Sequence, residues 1–106
     1  MVIRRGEVWW AELAAPVGPR PVVVLSRDEA CAVRSHLIVA PVTTRIRGLP
    51  VEVGLGPADG LPRVCVVNVD ALATVAKTLL VERLTALHPG KLSEVDRALK
   101  FALAVT

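Results

Sequence analysis

The sequence is poor in the residues that build metal sites. Its 106 residues include two cysteines, Cys31 and Cys65, 34 positions apart, and two histidines, His36 and His88. None of the four has the spacing of a zinc-ligand pair, so no metal or cofactor is expected. Both cysteines sit in mostly apolar stretches, where a free thiol acts as a small buried hydrophobe. Long hydrophobic runs are missing too. The longest uncharged apolar runs cover residues 21–25 and 37–42, far short of the roughly 20 residues that span a bilayer. The opening Met1–Val2–Ile3–Arg4–Arg5–Gly6–Glu7 has no apolar central region and no small-residue cleavage site, so no secretion signal is expected. There is no repeat, low-complexity tract or linker. The expectation is a cytoplasmic protein without membrane contact, in which a disulfide is not favoured.

What is present sets the class. A hydrophobic share of 53% and a mean hydropathy of +0.53 exclude intrinsic disorder. The length suits one domain over residues 1–106, since a single core usually takes roughly 100–200 residues. So small a domain has much surface for its core, yet more than half of its residues are apolar. Part of that surface is expected to face a second copy in a two-fold homodimer. Thirteen basic residues against ten acids give a net charge of +3, and ten of the thirteen are arginine. Between positions 20 and 47 lie Arg20, Arg27, Arg34, Arg45 and Arg47 against only Asp28 and Glu29. Arginine suits planar, two-pronged contact with phosphate. The cluster points to a polyanion partner such as nucleic acid, with an ordinary solvated surface as the alternative.

Read in order, residues 7–13, 21–26, 36–42, 50–53 and 63–70 favour strands, and 73–76 and 81–87 are weaker strand candidates. Residues 27–35 leave room for one helical turn or a loop. Pro41 marks an edge or a bulge in the third strand, residues 43–49 form a basic loop, and the glycines and prolines of 54–62 form a turn. From Lys91, the apolar Leu92, Val95, Leu99, Ala102 and Leu103 recur at helical spacing. The fold class is therefore mainly β (α+β): five to seven short antiparallel strands in a curled sheet or half-open barrel, closed by one helix. Trp9 and Trp10 point to opposite faces of a regular strand, one into the core and the other free to stack on a base or pack at a dimer seam. Arg4 and Arg5 precede the first strand and are candidates for fraying.

A family resemblance rests on motifs in order along nearly the whole chain. They are Arg5–Gly6–Glu7–Val8–Trp9, Arg20–Pro21–Val22–Val23–Val24–Leu25–Ser26, Ala40–Pro41–Val42–Thr43–Thr44 and Gly48–Leu49–Pro50–Val51–Glu52–Val53. Val66–Val67–Asn68–Val69–Asp70, the Lys77, Leu80, Arg83 spacing and Val95–Asp96–Arg97–Ala98–Leu99 follow. The chain resembles the MazF/PemK endoribonuclease toxins. The resemblance implies an SH3-like, CcdB/PemK-type small barrel with a C-terminal helix, a homodimer, and a cognate MazE-like antitoxin that holds the toxin inactive. It also implies metal-independent, sequence-selective cleavage of single-stranded RNA that stops translation and growth. The target is messenger RNA, with transfer or ribosomal RNA as alternatives, and the ends are a 2′,3′-cyclic phosphate and a 5′-OH.

Carried over by position, Arg20 and Thr43 become the catalytic pair. Thr44, Arg45, Arg47, Asp70 and Trp10 become candidates for RNA contact; Asp70 has structural capping as an equal alternative. His36 reads as a strand-start histidine outside the catalysis, and His88 as turn surface. One departure stands out: the loop before Arg20 is only residues 14–19, with no acid, where many relatives carry a longer loop with an acidic residue. The resemblance therefore leaves the general base unassigned and the site open. Two other readings stand beside it: a CcdB-like toxin that binds DNA gyrase without chemistry, and an inactive homologue that titrates antitoxin.

Overall fold

A computed structural model describes residues 2–106; Met1, the first residue of the opening segment weighed against a secretion signal, lies outside the described residues. The β-branched runs form strands β1 (Glu7–Ala11), β2 (Arg20–Val24) and β3 (His36–Thr43), with a short helix α1 (Asp28–Val33) between the last two. Then follow β4 (Glu52–Leu55), β5 (Cys65–Asn68), β6 (Ala73–Ala76), β7 (Leu80–Ala86) and the closing helix α2 (Pro89–Leu103). The strands make one seven-stranded sheet in the order β4-β5-β3-β2-β1-β7, with β6 also on β3. Every pairing is antiparallel. This is the curled, mainly antiparallel sheet with a C-terminal helix that the sequence predicts. Among the described residues, no helix is long and apolar enough to cross a membrane.

Strand β3 is the branch point. One edge pairs with β2, while the other pairs with β6 along His36–Val39 and with β5 at Val42 and Thr43. Pro41 was expected at an edge or bulge, and β3 is instead interior. The strand accepts a proline there because Ala40 and Pro41 fall between the two partners on the second edge, where no ladder bond is lost.

The period-two alternation of β1, β2 and β3 feeds two cores, one on each face of the sheet. Val8, Val23, Ala40 and Val42 face one core, which also takes Val53, Val67, Val95 and Ala98. Trp9, Ala11, Val22, Val24, Leu37 and Val39 face the other, which Cys31 of α1 and Leu80 complete. The tryptophan ambiguity is thereby resolved: Trp9 is buried and Trp10 half-buried. Both cysteines are free and buried, and burial pushes each thiol pKa up.

Helix α2 packs on the first core through Val95 and Ala98, with Leu92, Leu99 and Ala102 alongside. Leu103 fits the helical spacing, yet it is more than half exposed because the helix there runs past the sheet. His88, expected as turn surface, caps α2: its Nδ1 accepts the Lys91 N–H at 3.3 Å. Arg5, a candidate for fraying, is firmly tied. It donates from Nη2 to Asp96 at 2.7 Å and from Nε to the Leu25 carbonyl at 2.9 Å. Its backbone N–H donates to Asp28 at 2.7 Å. The N-terminal segment is thus stitched to both helices and to the end of β2.

Glu7 is a buried acid and earns its place by accepting three bonds. Its Oε1 takes the Arg4 N–H at 2.8 Å and the Trp9 indole N–H at 3.0 Å, and its Oε2 takes Arg83 Nε at 2.9 Å. Burial pushes the carboxyl pKa up, but the bonds from Trp9, Arg4 and Arg83, with the charge of Arg83, bring it below its ordinary value. A carboxyl lowered on folding stabilises the fold above its unfolded pKa, and that contribution is lost as pH falls through the folded one. Glu7→Gln should therefore cost about 1–3 kcal/mol near neutral pH. Urea unfolding across pH should show the gap between wild type and variant narrowing in acid.

Candidate active site

The β2–β3 register decides which polar side chains meet. Val22 faces Pro41, Val23 faces Ala40 and Val24 faces Val39. Continued by two positions, the same register sets Arg20 at the start of β2 opposite Thr43 at the end of β3. Arg20, Val22, Val39, Pro41 and Thr43 all line one groove of about 620 Å³, as the alternation of an antiparallel pair requires. Leu13, Ala14 and Val17 of the first loop form one wall, and Ala73–Ala76 of β6 the other. The loop after Thr43 brings Arg45 and Arg47 to the groove, and Glu52 and Asn68 join them.

Arg20 is placed to bind an anion. Its Nη2 donates to the Val17 carbonyl, which holds the guanidinium against the short first loop. Its Nε–H is buried with no hydrogen-bond partner among the described residues. A buried, unpaired donor is costly, and the guanidinium that carries it lines the open groove, where its charge favours an oxyanion. Thr43 complements it. Its Oγ1 accepts the Arg45 N–H at 3.1 Å, so its own O–H remains to be donated.

The groove thus gathers four of the sequence candidates: Arg20, Thr43, Arg45 and Arg47. Thr44 and Trp10 lie apart, lining a second cavity of about 350 Å³ with Arg63, and Thr43 borders both spaces. The Trp10 indole donates to Glu12 at 3.1 Å. Asp70 is exposed in the short Val69–Ala71 turn, lines neither cavity, and donates its backbone N–H to Asn68 Oδ1 at 2.9 Å. The capping group of that turn is Asn68.

Four polar residues lining the groove, His36, Asn68, Glu52 and Thr74 of β6, were not picked out as site candidates. His36 sits at the far end of β3, with Ser35 Oγ 3.0 Å from its Nδ1. Asn68 ends β5, and Glu52 begins β4. Glu52 carried no signal in the sequence, because an acid in a basic groove reads as strand-edge surface until its hydrogen bonds are seen. Among the described residues, no cluster of three or more His, Cys, Asp or Glu could hold a metal ion.

Comparison with known proteins gives a consistent result. Residues 4–103 match the family described as PemK-like, MazF-like toxin of type II toxin–antitoxin system. The chain is 47% identical over 100 residues to the probable endoribonuclease MazF5 of Mycobacterium tuberculosis, covering 93% of this chain and 91% of that one. The solved structure of the M. tuberculosis toxin MazF-mt6 superposes with a TM-score of 0.87 at 27% identity, covering 94% of this chain and 98% of that one. An endoribonuclease solved in complex with its cognate antitoxin, from a mycobacterial species, gives a TM-score of 0.87 at 26% identity. That likeness covers 98% of this chain and 97% of the other.

Proposed function

The chain belongs to the PemK-like, MazF-like toxins of type II toxin–antitoxin systems, and from that premise we propose that its groove is the active site of a sequence-selective endoribonuclease. The substrate is single-stranded RNA, the place of action the cytoplasm, and the consequence arrested translation and growth. The observation that carries this reading is that Arg20 and Thr43, at the ends of β2 and β3, line one groove, with the Arg20 guanidinium held to the Val17 carbonyl. The proteins it resembles are named as endoribonucleases, which favours an enzyme over a gyrase-binding or inactive reading.

The chemistry fits these two groups because RNA carries its own nucleophile. The 2′-oxygen attacks the adjacent phosphorus, the bond to the 5′-oxygen breaks, and a 2′,3′-cyclic phosphate and a 5′-OH result. Negative charge grows on the non-bridging oxygens as this happens. Arg20, anchored through Nη2 to Val17, offers its remaining donors to that charge in a geometry fixed beforehand. Thr43 donates its O–H to a phosphate oxygen and holds the reacting group in line. Arginine stays protonated, so Arg20 is a clamp and not a base. No bound metal is needed for any of these steps.

The protein acts as a two-fold homodimer under the control of a MazE-like antitoxin. Supporting the first are several large apolar side chains left exposed, among them Val17, Ile46 and Leu49 beside the groove. Supporting the second is the likeness to an endoribonuclease solved with its cognate antitoxin. The antitoxin is an acidic, partly disordered segment that folds as it occupies the basic groove.

Incubation with a long single-stranded RNA in EDTA, followed by mapping of new 5′ ends, should give cuts at a recurring short sequence with 5′-OH termini. Arg20→Ala and Thr43→Ala should each reduce cleavage by about 10²–10³-fold. Cutting retained by the double variant would move the active site elsewhere. No cutting by wild type would defeat the RNase reading. His36 lies seven positions from Thr43, about 23 Å along the strand at about 3.3 Å per residue. His36→Gln should therefore keep kcat within about threefold, far from the effect of losing a general base. Finally, Arg45→Ala combined with Arg47→Ala should lower the slope of log K against log salt for single-stranded RNA by about 1.4, two contacts at about 0.7 each.

A further inference from the structure

Among the described residues, Glu52 is the only acid lining the groove, facing a space that also takes Arg20, Arg45 and Arg47. By charge alone it should weaken the hold on a polyanion. Its hydrogen bonds supply the reason for its presence. The Glu52 Oε1 accepts the backbone N–H groups of Arg47 at 3.0 Å, Gly48 at 2.8 Å and Leu49 at 3.2 Å, and Oε2 lies 3.3 Å from the first. Three successive amides converge because Gly48 adopts the left-handed conformation, with φ +72°. Such a concave run of N–H groups is an anion receptor, and here the anion is supplied from within the chain. Glu52 is itself fixed. It pairs with Asn68 on β5, and its own N–H donates to the Leu49 carbonyl at 2.9 Å.

Residues 44–51 have no helix or strand of their own. The exposed loop carrying Arg45 and Arg47 is tethered at its near end by the Thr43 hydroxyl and at its far end by the Glu52 carboxylate. We propose that Glu52 is a positioning residue: it holds the basic loop across the groove and so sets how tightly Arg45 and Arg47 grip RNA. The inference rests on RNA being the ligand. Desolvation pushes the Glu52 carboxyl pKa up, but the N–H groups of Leu49, Arg47 and Gly48, with the charge of Arg47, bring it below its ordinary value. A carboxylate so engaged is a weak base, which separates its role from proton transfer.

The test turns on a sign. Removing an acid from a basic groove should tighten RNA binding if only charge matters, and the same holds if the vacated amides receive a phosphate. Loss of a positioning residue weakens it. Wild type, Glu52→Ala and Glu52→Gln are compared with an RNA whose scissile 2′-OH is replaced by hydrogen, by fluorescence anisotropy across salt concentrations. Cleavage of the unmodified RNA and amide hydrogen exchange at residues 47–49 are followed in parallel. Glu52→Ala should weaken binding and raise KM by about tenfold, with kcat within about twofold. Its salt slope should fall toward that of the Arg45→Ala/Arg47→Ala variant, and the three amides should exchange faster. Glu52→Gln keeps an acceptor without the charge and should fall between. It carries the same test if the alanine variant loses the fold. Tighter or unchanged binding, or a fall in kcat at constant KM, would overturn the proposal. A wild type that neither binds nor cuts RNA would defeat the RNA reading and this inference together, so the two failures are told apart.

Discussion

The site depends on the register of β2 against β3. Val22 lies opposite Pro41, the same alternation brings Arg20 and Thr43 to one groove, and a slip by one residue would turn every side chain of one strand to the other face. What prevents the slip is burial on both sides. Val22 and Val24 belong to one core, and Val23 lies in the other. A shifted strand would lose both sets of contacts at once. The polar groups at the strand ends add little to this; they inherit a position that apolar residues hold. Placing Arg20 and Thr43 where two buried strands end gives them rigid backbones and an open approach.

The same division of labour runs through the rest of the molecule. Charged groups serve as ties between elements that the cores have already brought together. Arg5 joins the N-terminal segment to α1, α2 and the end of β2, while Glu7 joins β1 to β7 through Arg83. None of these residues lines the groove. Among the described residues, the one acid lining it is Glu52, which is directed to backbone amides.

Much of this was legible in the sequence because the signals were local. Alternating β-branched residues, glycine–proline turns and helical spacing located six strands and α2, while β4, expected at 50–53, lies at Glu52–Leu55 because Gly54 read as the start of a turn. The motif order singled out Arg20 and Thr43 as candidates. Non-local facts were hidden. Pro41 read as an edge because the switch of β3 from β6 to β5 depends on pairing partners far along the chain. Arg5 read as frayed because its partner Asp96 lies 91 positions away. Leu103 kept its spacing beyond the point where the sheet stops supporting the helix. Trp9 and Trp10 could not be told apart because β1 has a core on each face, and only the packing shows that Trp9 is the one enclosed. Glu52 was invisible for another reason: its partners are backbone amides, which leave no mark on residue identity.

The shape of the groove bears on how RNA can be read. Arg20 and Thr43 occupy one end of β3, and His36 marks the other, so substrate has most of the strand's length to lie along. The walls there are Val39, Ala73, Val75 and Ala76, and among the described residues lining the groove the only aromatic ring is the His36 imidazole at its far end. Splayed bases are commonly held by stacking on aromatic rings, an option this groove offers at that end alone. Trp10 sits in the neighbouring cavity, which Thr43 also borders, so any stacking it provides lies outside the main groove. Between Thr43 and His36, the groove offers steric fit against small aliphatic walls and edge hydrogen bonds as means of discrimination. Asn68 and Thr74 are uncharged side chains there suited to that task. On the proposed reading, sequence choice is separated from bond cleavage: the arginines would grip a backbone common to all RNA, and the small polar groups along the walls would select among bases.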